Sequence, residues 1–286
     1  MIDLHTHSTA SDGSFSPSSL MEEAAKRSLS VIALTDHDTA AGLQEAEKAA
    51  LALGIRFIPG IELEIVWNSG ADFHLLGLGL RQLSPGFTAA VEEIARRRED
   101  RNLEIVEKMN KAGIAVSYDE IRAFSDCNYD PNAPKSSRHS IGRPHFASFL
   151  VMRKIVKNRE QAFSHYLSRG KPFFTPRIGM EFEKAVEIIR ESGGITVLAH
   201  PMSLYIGWDR LPDLLKSLKD KGLDGIEAWH PAATVSSCSR LEELGKKLKL
   251  LITAGSDFHG ETRSDRKLGF TAGGRKIDES FLEGIL

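Results

Sequence analysis

Apolar residues gather in short runs that each stop at polar or charged residues: "MIDLHTH", "LSVIALTDHD", "IRFIPGIELE", "DFHLLGLGL", "GITVLAHP", "LDGIEAWHP" and "LLITAGSDFHG". Short apolar runs bounded by turn-forming residues predict strands, here seven. Between many of them, apolar residues recur at helical spacing, over Ser18–Leu29, Ala40–Leu53, Glu181–Glu191, Leu211–Lys221 and Cys238–Leu248. Strand and helix alternate, which predicts an α/β fold around a parallel sheet.

The alternation breaks between Ser84 and Pro176. There a charged helical stretch, "VEEIARRREDRNLEIVEKMNKAG", leads through "SDCNYDPNAPKSSRHS" into further helix. This predicts an inserted, mainly helical lobe over 84–176, with 1–83 and 177–286 forming one barrel-sized domain. Acids interleave the bases of "RRREDR", so that stretch reads as a solvated helix face and not as a nucleic-acid patch. The polar stretch that follows reads as a long mobile loop.

Parallel α/β folds bind ligands at the carboxyl ends of their strands. Those ends carry most of the reactive side chains here. Strand one ends in His5 and His7, strand two in Asp36, His37 and Asp38, and strand three carries Glu62. Strand five ends in His200, strand six in Glu227 and His230, and strand seven in Asp257 and His259. His74 begins its strand, so it joins the others only if that strand returns as a hairpin from strand three.

In an H-x-H pair on a strand, both imidazoles share one face. Neutral imidazole is the commonest protein metal ligand. Asp257 and His259 repeat that spacing near the other end of the chain. A lone buried histidine is ordinarily a core residue. Six of the ten histidines (His5, His7, His37, His74, His200 and His259) lie in or beside strand-like runs, which favours a shared site. Imidazole and carboxylate without thiolate suit Zn, Mn or Fe better than Ca or Mg, and the donors outnumber one tetrahedral shell. Two or three divalent ions are therefore expected. Paired ions about 3.5–4 Å apart commonly hydrolyse phosphate esters by generating hydroxide and clamping the entering and leaving oxygens. Glu62 is the candidate bridging carboxylate.

Charge adds a restriction. With 37 basic against 39 acidic residues and a formal net charge of −2, no global field favours a nucleic-acid duplex or a membrane, so an anionic substrate must be gripped locally. Cys127 and Cys238 are far apart and outside any C-x-x-C spacing, as expected of free thiols in a reducing compartment. Neither a signal peptide nor an apolar run of roughly 18 residues is visible, so a cytoplasmic protein is expected.

Taken in order, "DLHTHSTASDGS", "VIALTDHDTAAGL", "GIELE", "AHP" and "GSDFHG" resemble the successive motifs of the PHP (polymerase and histidinol phosphatase) family of metal-dependent phosphoesterases. "IGRPHFASFLV" and "YLSRGKPFFTPR" are similar to the branch acting on nucleoside 3′,5′-bisphosphates, some members of which degrade short RNA from its 5′ end. The resemblance covers the whole chain. It implies a distorted seven-stranded (β/α) barrel with two or three divalent ions, manganese foremost and iron, zinc or magnesium as alternatives. By motif position, His5, His7, Glu62 and Asp257 would hold one ion, and Glu62, His74 and His200 a second. Asp12, His37 and His259 would form a third site or act as acid and base around an empty one. The resemblance also places the lobe over the barrel mouth, where Arg143, His145, Lys171 and Arg177 would meet phosphate groups. Arginine suits that task through its two-pronged donor geometry. "GRPH" equally reads as a helix start with proline in the first turn, and Lys171 as a solvated loop charge.

One departure stands out. Many relatives carry a histidine-threonine pair after strand six, whereas this chain reads "WHPAATVSS", with Ala233 and Thr234 there. A substrate contact is then missing or replaced by His230, which by itself reads more simply as a strand-end polar residue. Trp208 and Trp229 are candidates to stack on a base, with packing the plainer role. The implied reaction is in-line attack by metal-activated hydroxide, with Arg143 neutralising phosphoryl charge and a histidine or metal-bound water protonating the leaving oxygen. The rivals are a histidinol-phosphate phosphatase, a non-catalytic metal or nucleotide sensor, and a proofreading module detached from a polymerase.

Overall fold

The computed structural model describes residues 1–67, 73–125, 140–176 and 178–285. Its first half runs β1 (Ile2–Asp3), α1 (Pro17–Lys26), β2 (Val31–Leu34), α2 (Leu43–Leu53), β3 (Arg56–Val66) and β4 (Phe73–Leu78). Helix α1 starts where Ser16 Oγ accepts the Ser19 N–H and Pro17 occupies the first turn. Helix α2 ends at Gly54, whose left-handed φ of 69° suits glycine. All four residues of β2 are buried, as expected for a strand covered on both faces.

After the lobe, β5 (Met180–Glu181), α7 (Phe182–Glu191), β6 (Ile195–Leu198), α8 (Leu211–Asp220), β7 (Gly225–Trp229), α9 (Val235–Lys247) and β8 (Leu251–Ala254) complete the sheet. The strand order is β1-β2-β3-β4-β6-β7-β8. Neighbours are parallel except around β4, which runs antiparallel to both β3 and β6. This reversal places His74 opposite Glu64, at the carboxyl end of β3, as the hairpin expectation required. Strand β5 is additional to the seven predicted strands. It is two residues long and pairs with the end of β3, too short for any periodicity to betray it.

The two ends of the sheet meet, giving a distorted and nearly closed barrel. Thr6, just past β1, bridges Phe258, just past β8, and the His7 N–H donates to the Phe258 carbonyl at 2.9 Å. Asp3 fastens the same seam from below, accepting the Ser256 N–H at 2.9 Å and the Gly269 N–H at 2.7 Å.

The lobe comprises α3 (Pro85–Lys111), α4 (Tyr118–Ser125), α5 (Arg143–Met152) and α6 (Arg159–Ala162), the last continuing as a π turn over Phe163–Leu167. It has its own apolar cluster, including Ile105, Met109, Phe146, Phe149 and Phe173. Helix α3 belongs to both bodies. Its Phe87 and Ile94 enter the barrel core and its Ile105 and Met109 the lobe core. The polar stretch 126–139, with Cys127, lies outside the described residues; Cys238 is a buried free thiol.

Candidate metal centre and anion cleft

Glu62 is the hub of the site. Strand pleating puts Glu62 and Glu64 on one face, and Glu62 is fully buried. Its Oε2 lies 3.2 Å from His5 Nε2, 3.2 Å from His7 Nε2 and 3.1 Å from His37 Nδ1. Its Oε1 lies 2.8 Å from His74 Nδ1 and 3.0 Å from His200 Nε2. Five imidazoles from three strand ends and one strand start thus surround a single carboxylate.

Two further carboxylates complete the cluster. Asp257 Oδ1 is 3.4 Å from His7 Nε2 and 3.6 Å from His5 Nε2. Asp12 Oδ1 is 3.2 Å from His259 Nε2 and 4.0 Å from His37 Nε2. Asp257 and His200 adopt φ values of 52° and 29°, unusual for residues with side chains and typical of strain held at functional sites.

The donor set fits divalent cations. His5 Nε2 and His7 Nε2 face each other at 3.1 Å and converge on the same oxygens. His5 directs its Nδ1 to Glu227 Oε1 at 3.0 Å, so in the neutral ring Nε2 presents a lone pair to carboxylate oxygen. His259 likewise donates Nδ1–H to the Asp257 carbonyl at 2.9 Å, leaving Nε2 toward Asp12. Among the described residues, His7 Nδ1, Asp12 Oδ1 and Glu62 Oε2 are buried and find no hydrogen-bond partner of acceptable geometry. Lone pairs facing buried anions are costly unless cations lie between them. Among the described residues, three groups have ligand atoms mutually within 4.8 Å: His5, His7 and Asp257; His37, Glu62 and His74; and His7, Asp12, His37 and His259.

Protonation follows the same crowding. Burial works against charge on His5, yet the Glu227 and Glu62 carboxylates hold its pKa well above the usual value. Burial likewise opposes charge on Glu62, but His37, His5 and His74 hold it well below the carboxylate range. Burial pushes His37 down to about 3.

Outside the ligand groups, Glu227 accepts the His200 N–H at 2.8 Å through its second oxygen, so it orients both His5 and the strand end bearing His200. His230 accepts the Ala232 N–H at Nδ1, which leaves Nε2–H to donate to Asp257 Oδ2 at 3.2 Å. Asp36 faces away from the centre. It accepts the Ser8 N–H at 2.7 Å and the Ser8 and Ser11 hydroxyls at 2.6 Å each, fixing the loop that carries Asp12. Thr234 turns out to cap α9, accepting the Ser237 N–H at 3.1 Å, and so starts that helix three residues earlier than the periodicity predicts. Trp208 and Trp229 carry the guanidiniums of Arg240 and Arg275 over their rings.

A cleft of about 190 Å³ opens above the cluster, lined by Asp12, His37, His74, Arg98, Arg101, Arg143 and His145. The helix-start reading of "GRPH" holds. Arg143 opens α5 and His145 Nδ1 accepts the Gly142 N–H at 3.0 Å, while both residues line the cleft. Lys171 is exposed and does not line this cleft, and Arg177 lies outside the described residues.

The solvated-face reading of "RRREDR" is corrected in part. Arg96 and Arg97 are exposed and pair with Glu93, but Arg98 is largely enclosed, Arg101 is buried, and both line the cleft. A signal for this was available, because Ile94, Arg98, Arg101 and Ile105 follow the spacing of one buried helix stripe.

Comparison with known proteins agrees with this geometry. Residues 3–140 match the PHP domain. The chain is 37% identical over 257 residues to a 5′-3′ exoribonuclease of Haemophilus influenzae, covering 90% of this chain and 89% of that protein. It is 32% identical over 270 residues to a 3′,5′-nucleoside bisphosphate phosphatase of Chromobacterium violaceum, covering 94% and 91%. A Bifidobacterium adolescentis structure assigned as a metal-dependent phosphoesterase superposes with a TM-score of 0.84 at 26% identity, over 100% of this chain and 95% of that one. Fold and site together define a metal-dependent hydrolase of phosphoric esters. The chain belongs to the PHP family, within the branch that its motifs resemble.

Proposed function

We propose that this protein removes the 3′-phosphate of nucleoside 3′,5′-bisphosphates and trims short 5′-phosphorylated RNA, in the cytoplasm, with two or three divalent ions, manganese foremost. The observation that carries this reading is the adjacency of the Glu62 cluster to a cleft walled by arginines. His5, His7, Glu62 and Asp257 would hold one ion, Glu62, His74 and His200 a second, and Asp12, His37 and His259 a third. The close approach of His37 to Glu62 and His74 gives it a share in the second group as well. Bound ions of this class acidify water and neutralise phosphoryl charge.

The side chains divide the remaining work. Arg143 and His145 donate to non-bridging phosphoryl oxygens, and Arg143 stabilises charge gathering there during displacement. If no third ion binds, His259 Nε2, facing Asp12, is instead placed to hold the proton that the leaving 3′-oxygen needs. The lobe of residues 84–176 acts as the cap. Past Arg98 and Ser140 the cleft adjoins a cavity of about 630 Å³ bordered by Ala41, Phe87, Val91 and Tyr118, which has room for a nucleoside. Histidinol phosphate, with one phosphate and no nucleoside, uses neither feature, and that alternative is not adopted.

The test joins metal analysis to phosphate release with added manganese. Adenosine 3′,5′-bisphosphate and 5′-phosphorylated oligoribonucleotides are expected to be turned over well ahead of histidinol phosphate. Turnover of histidinol phosphate alone overturns the branch, and nucleotide binding without phosphate release makes the protein a sensor.

A further inference from the structure

On the loop between β6 and α8, Leu204, Ile206 and Trp208 pack against the barrel core, whereas Tyr205 among them is 93% exposed. Packing therefore does not account for its ring. The backbone sharpens the point. Tyr205 holds a left-handed φ of 52°, where glycine is less strained, and a bulky side chain kept at such an angle is typical of functional sites. The loop is also built to hold its place beside the cluster. Ser203 Oγ lies 2.7 Å from His200 Nδ1, the Ser203 N–H donates to the His200 carbonyl at 2.9 Å, and the Tyr205 N–H donates to the Met202 carbonyl at 3.3 Å. The turn Pro201–Leu204 rises about 2 Å per residue, so Tyr205 starts roughly 10 Å beyond His200.

The lobe covers a different part of the barrel mouth. Its Arg98 pairs with Asp38 past β2, its Ser140 N–H donates to the Ala10 carbonyl past β1 at 3.0 Å, and its Arg159 donates to the Thr262 carbonyl past β8 at 3.2 Å. The cavity with room for a nucleoside lies there too, between α3 and the loop after β2. The strand order puts the end of β6, with His200, in the remaining sector between β4 and β7. In the proposed RNA reaction, water adds to the scissile phosphorus, the P–O3′ bond breaks, and the 3′-oxygen of the first nucleotide takes the proton. The phosphate stays on the shortened chain. With the first nucleotide under the lobe and the scissile phosphate at the Glu62 cluster, the rest of the strand leaves through the sector of β6.

We infer that Tyr205 is the stacking platform for a base downstream of the scissile phosphate, and so favours single-stranded RNA over mononucleotides. Every base has a face that stacks on an aromatic ring, so such a platform is tolerant of sequence. Three residues further on, the guanidinium of Arg240, an exposed side chain, lies 4.2 Å from the centre of the Trp208 ring and brings positive charge to the same loop for the RNA backbone. The inference rests on the RNA-trimming half of the proposed function.

The experiment compares wild type with Tyr205→Ala, which removes the ring, and Tyr205→Phe, which keeps it. Because Tyr205 is so exposed, both variants are expected to melt as wild type does. Turnover is measured on adenosine 3′,5′-bisphosphate and on a 5′-phosphorylated tetraribonucleotide. Tyr205→Ala is expected to raise the ratio of KM for the tetranucleotide to KM for the bisphosphate about fivefold or more, the scale of one lost base stack, and Tyr205→Phe to leave that ratio within about twofold. An unchanged ratio in Tyr205→Ala, or an equal loss in Tyr205→Phe, overturns the inference. Fluorescence anisotropy separates it from the reading beneath it, using a labelled, 5′-phosphorylated tetraribonucleotide with hydrolysis-resistant phosphorothioate linkages and the protein in manganese. If wild type cleaves neither substrate yet Tyr205→Ala weakens this binding about fivefold or more and Tyr205→Phe does not, the platform stands and the phosphatase reading falls. If both substrates are turned over and Tyr205→Ala changes neither the ratio nor the binding, the platform falls and the reading stands.

Discussion

His5 and Glu227 form a buried pair across the barrel seam, His5 Nδ1 lying 3.0 Å from Glu227 Oε1 with both side chains almost wholly enclosed. The pair exists because residue 255 is glycine. A Cβ there would overlap His5 Cβ and stand 2.6 Å from Glu227 Oε1. With Nδ1 committed, His5 is fixed in the tautomer that turns Nε2 toward Glu62 and Asp257. Carboxylate-supported imidazoles of this kind bind metal more tightly than unsupported ones.

Glu227→Gln keeps the shape of that support and removes its charge. Metal affinity of the centre is expected to fall by about 10- to 100-fold while the melting temperature of the metal-free protein changes little. Competition with a metal-binding dye measures the first quantity and thermal denaturation in chelator the second. Unchanged metal affinity would show that Glu227 serves the fold alone.

Glu62→Gln tests the hub. The amide has one oxygen where five imidazoles now approach two, and it places an NH2 against lone pairs. Bound metal should drop by at least one ion per chain, and turnover by about 100-fold or more, with the circular dichroism spectrum retained. A variant holding more than about a tenth of wild-type activity contradicts the bridging role.

Asp3 sets a pH dependence of stability that does not pass through the metal ligands' own titration. Burial, set against hydrogen bonds from Ser256, Gly269 and His5, raises its pKa from 3.8 to about 6. The unfolded chain therefore releases this proton near pH 3.8, while the folded chain keeps it to about pH 6. The stability contributed by the bound proton is complete below about 3.8, declines as pH rises toward 6, and is gone above it. Asp3→Asn does not titrate. The stability of wild type relative to Asp3→Asn in chelator should fall between pH 4 and about 6.5, by an amount on the order of 3 kcal/mol, and be level above that. Urea denaturation across that range measures it, and a constant difference refutes it.

Much of this was legible in the chain. The strand-end rule brought His5, His7, Glu62, His200 and Asp257 to one place because a parallel sheet leaves few other arrangements for side chains of the same pleat parity. His74 needed the added supposition of a hairpin, which the antiparallel β3–β4 pair supplies. Asp36 and Asp38 were equally prominent in the sequence, yet one pins a loop and the other pairs with Arg98. Separating them required knowing which side of the strand end each leaves from. The arginine wall was hidden for another reason. Local charge balance in "RRREDR" describes the exposed face of α3, and burial of the opposite face depends on two cores that meet only in the folded chain.

The cationic residues of the lobe give the last prediction, a contrast between a helix start and a loop. Arg143 opens α5 and lines the cleft beside Asp12 and His37, so its fork is within the site. Lys171 is exposed and borders neither cavity, and a solvated ammonium at such a place contributes little through screened water. Arg143→Ala should lower kcat/KM for adenosine 3′,5′-bisphosphate by about 100-fold or more, the scale of a lost electrostatic contact at a developing charge. Lys171→Ala should change it by less than about threefold at 0.15 M salt, with any effect fading as salt is raised. Steady-state phosphate release at two ionic strengths decides the matter. A large, salt-independent loss in Lys171→Ala would mean that the lobe closes on the substrate far enough to bring that loop to the phosphate, and would make Lys171 part of the grip.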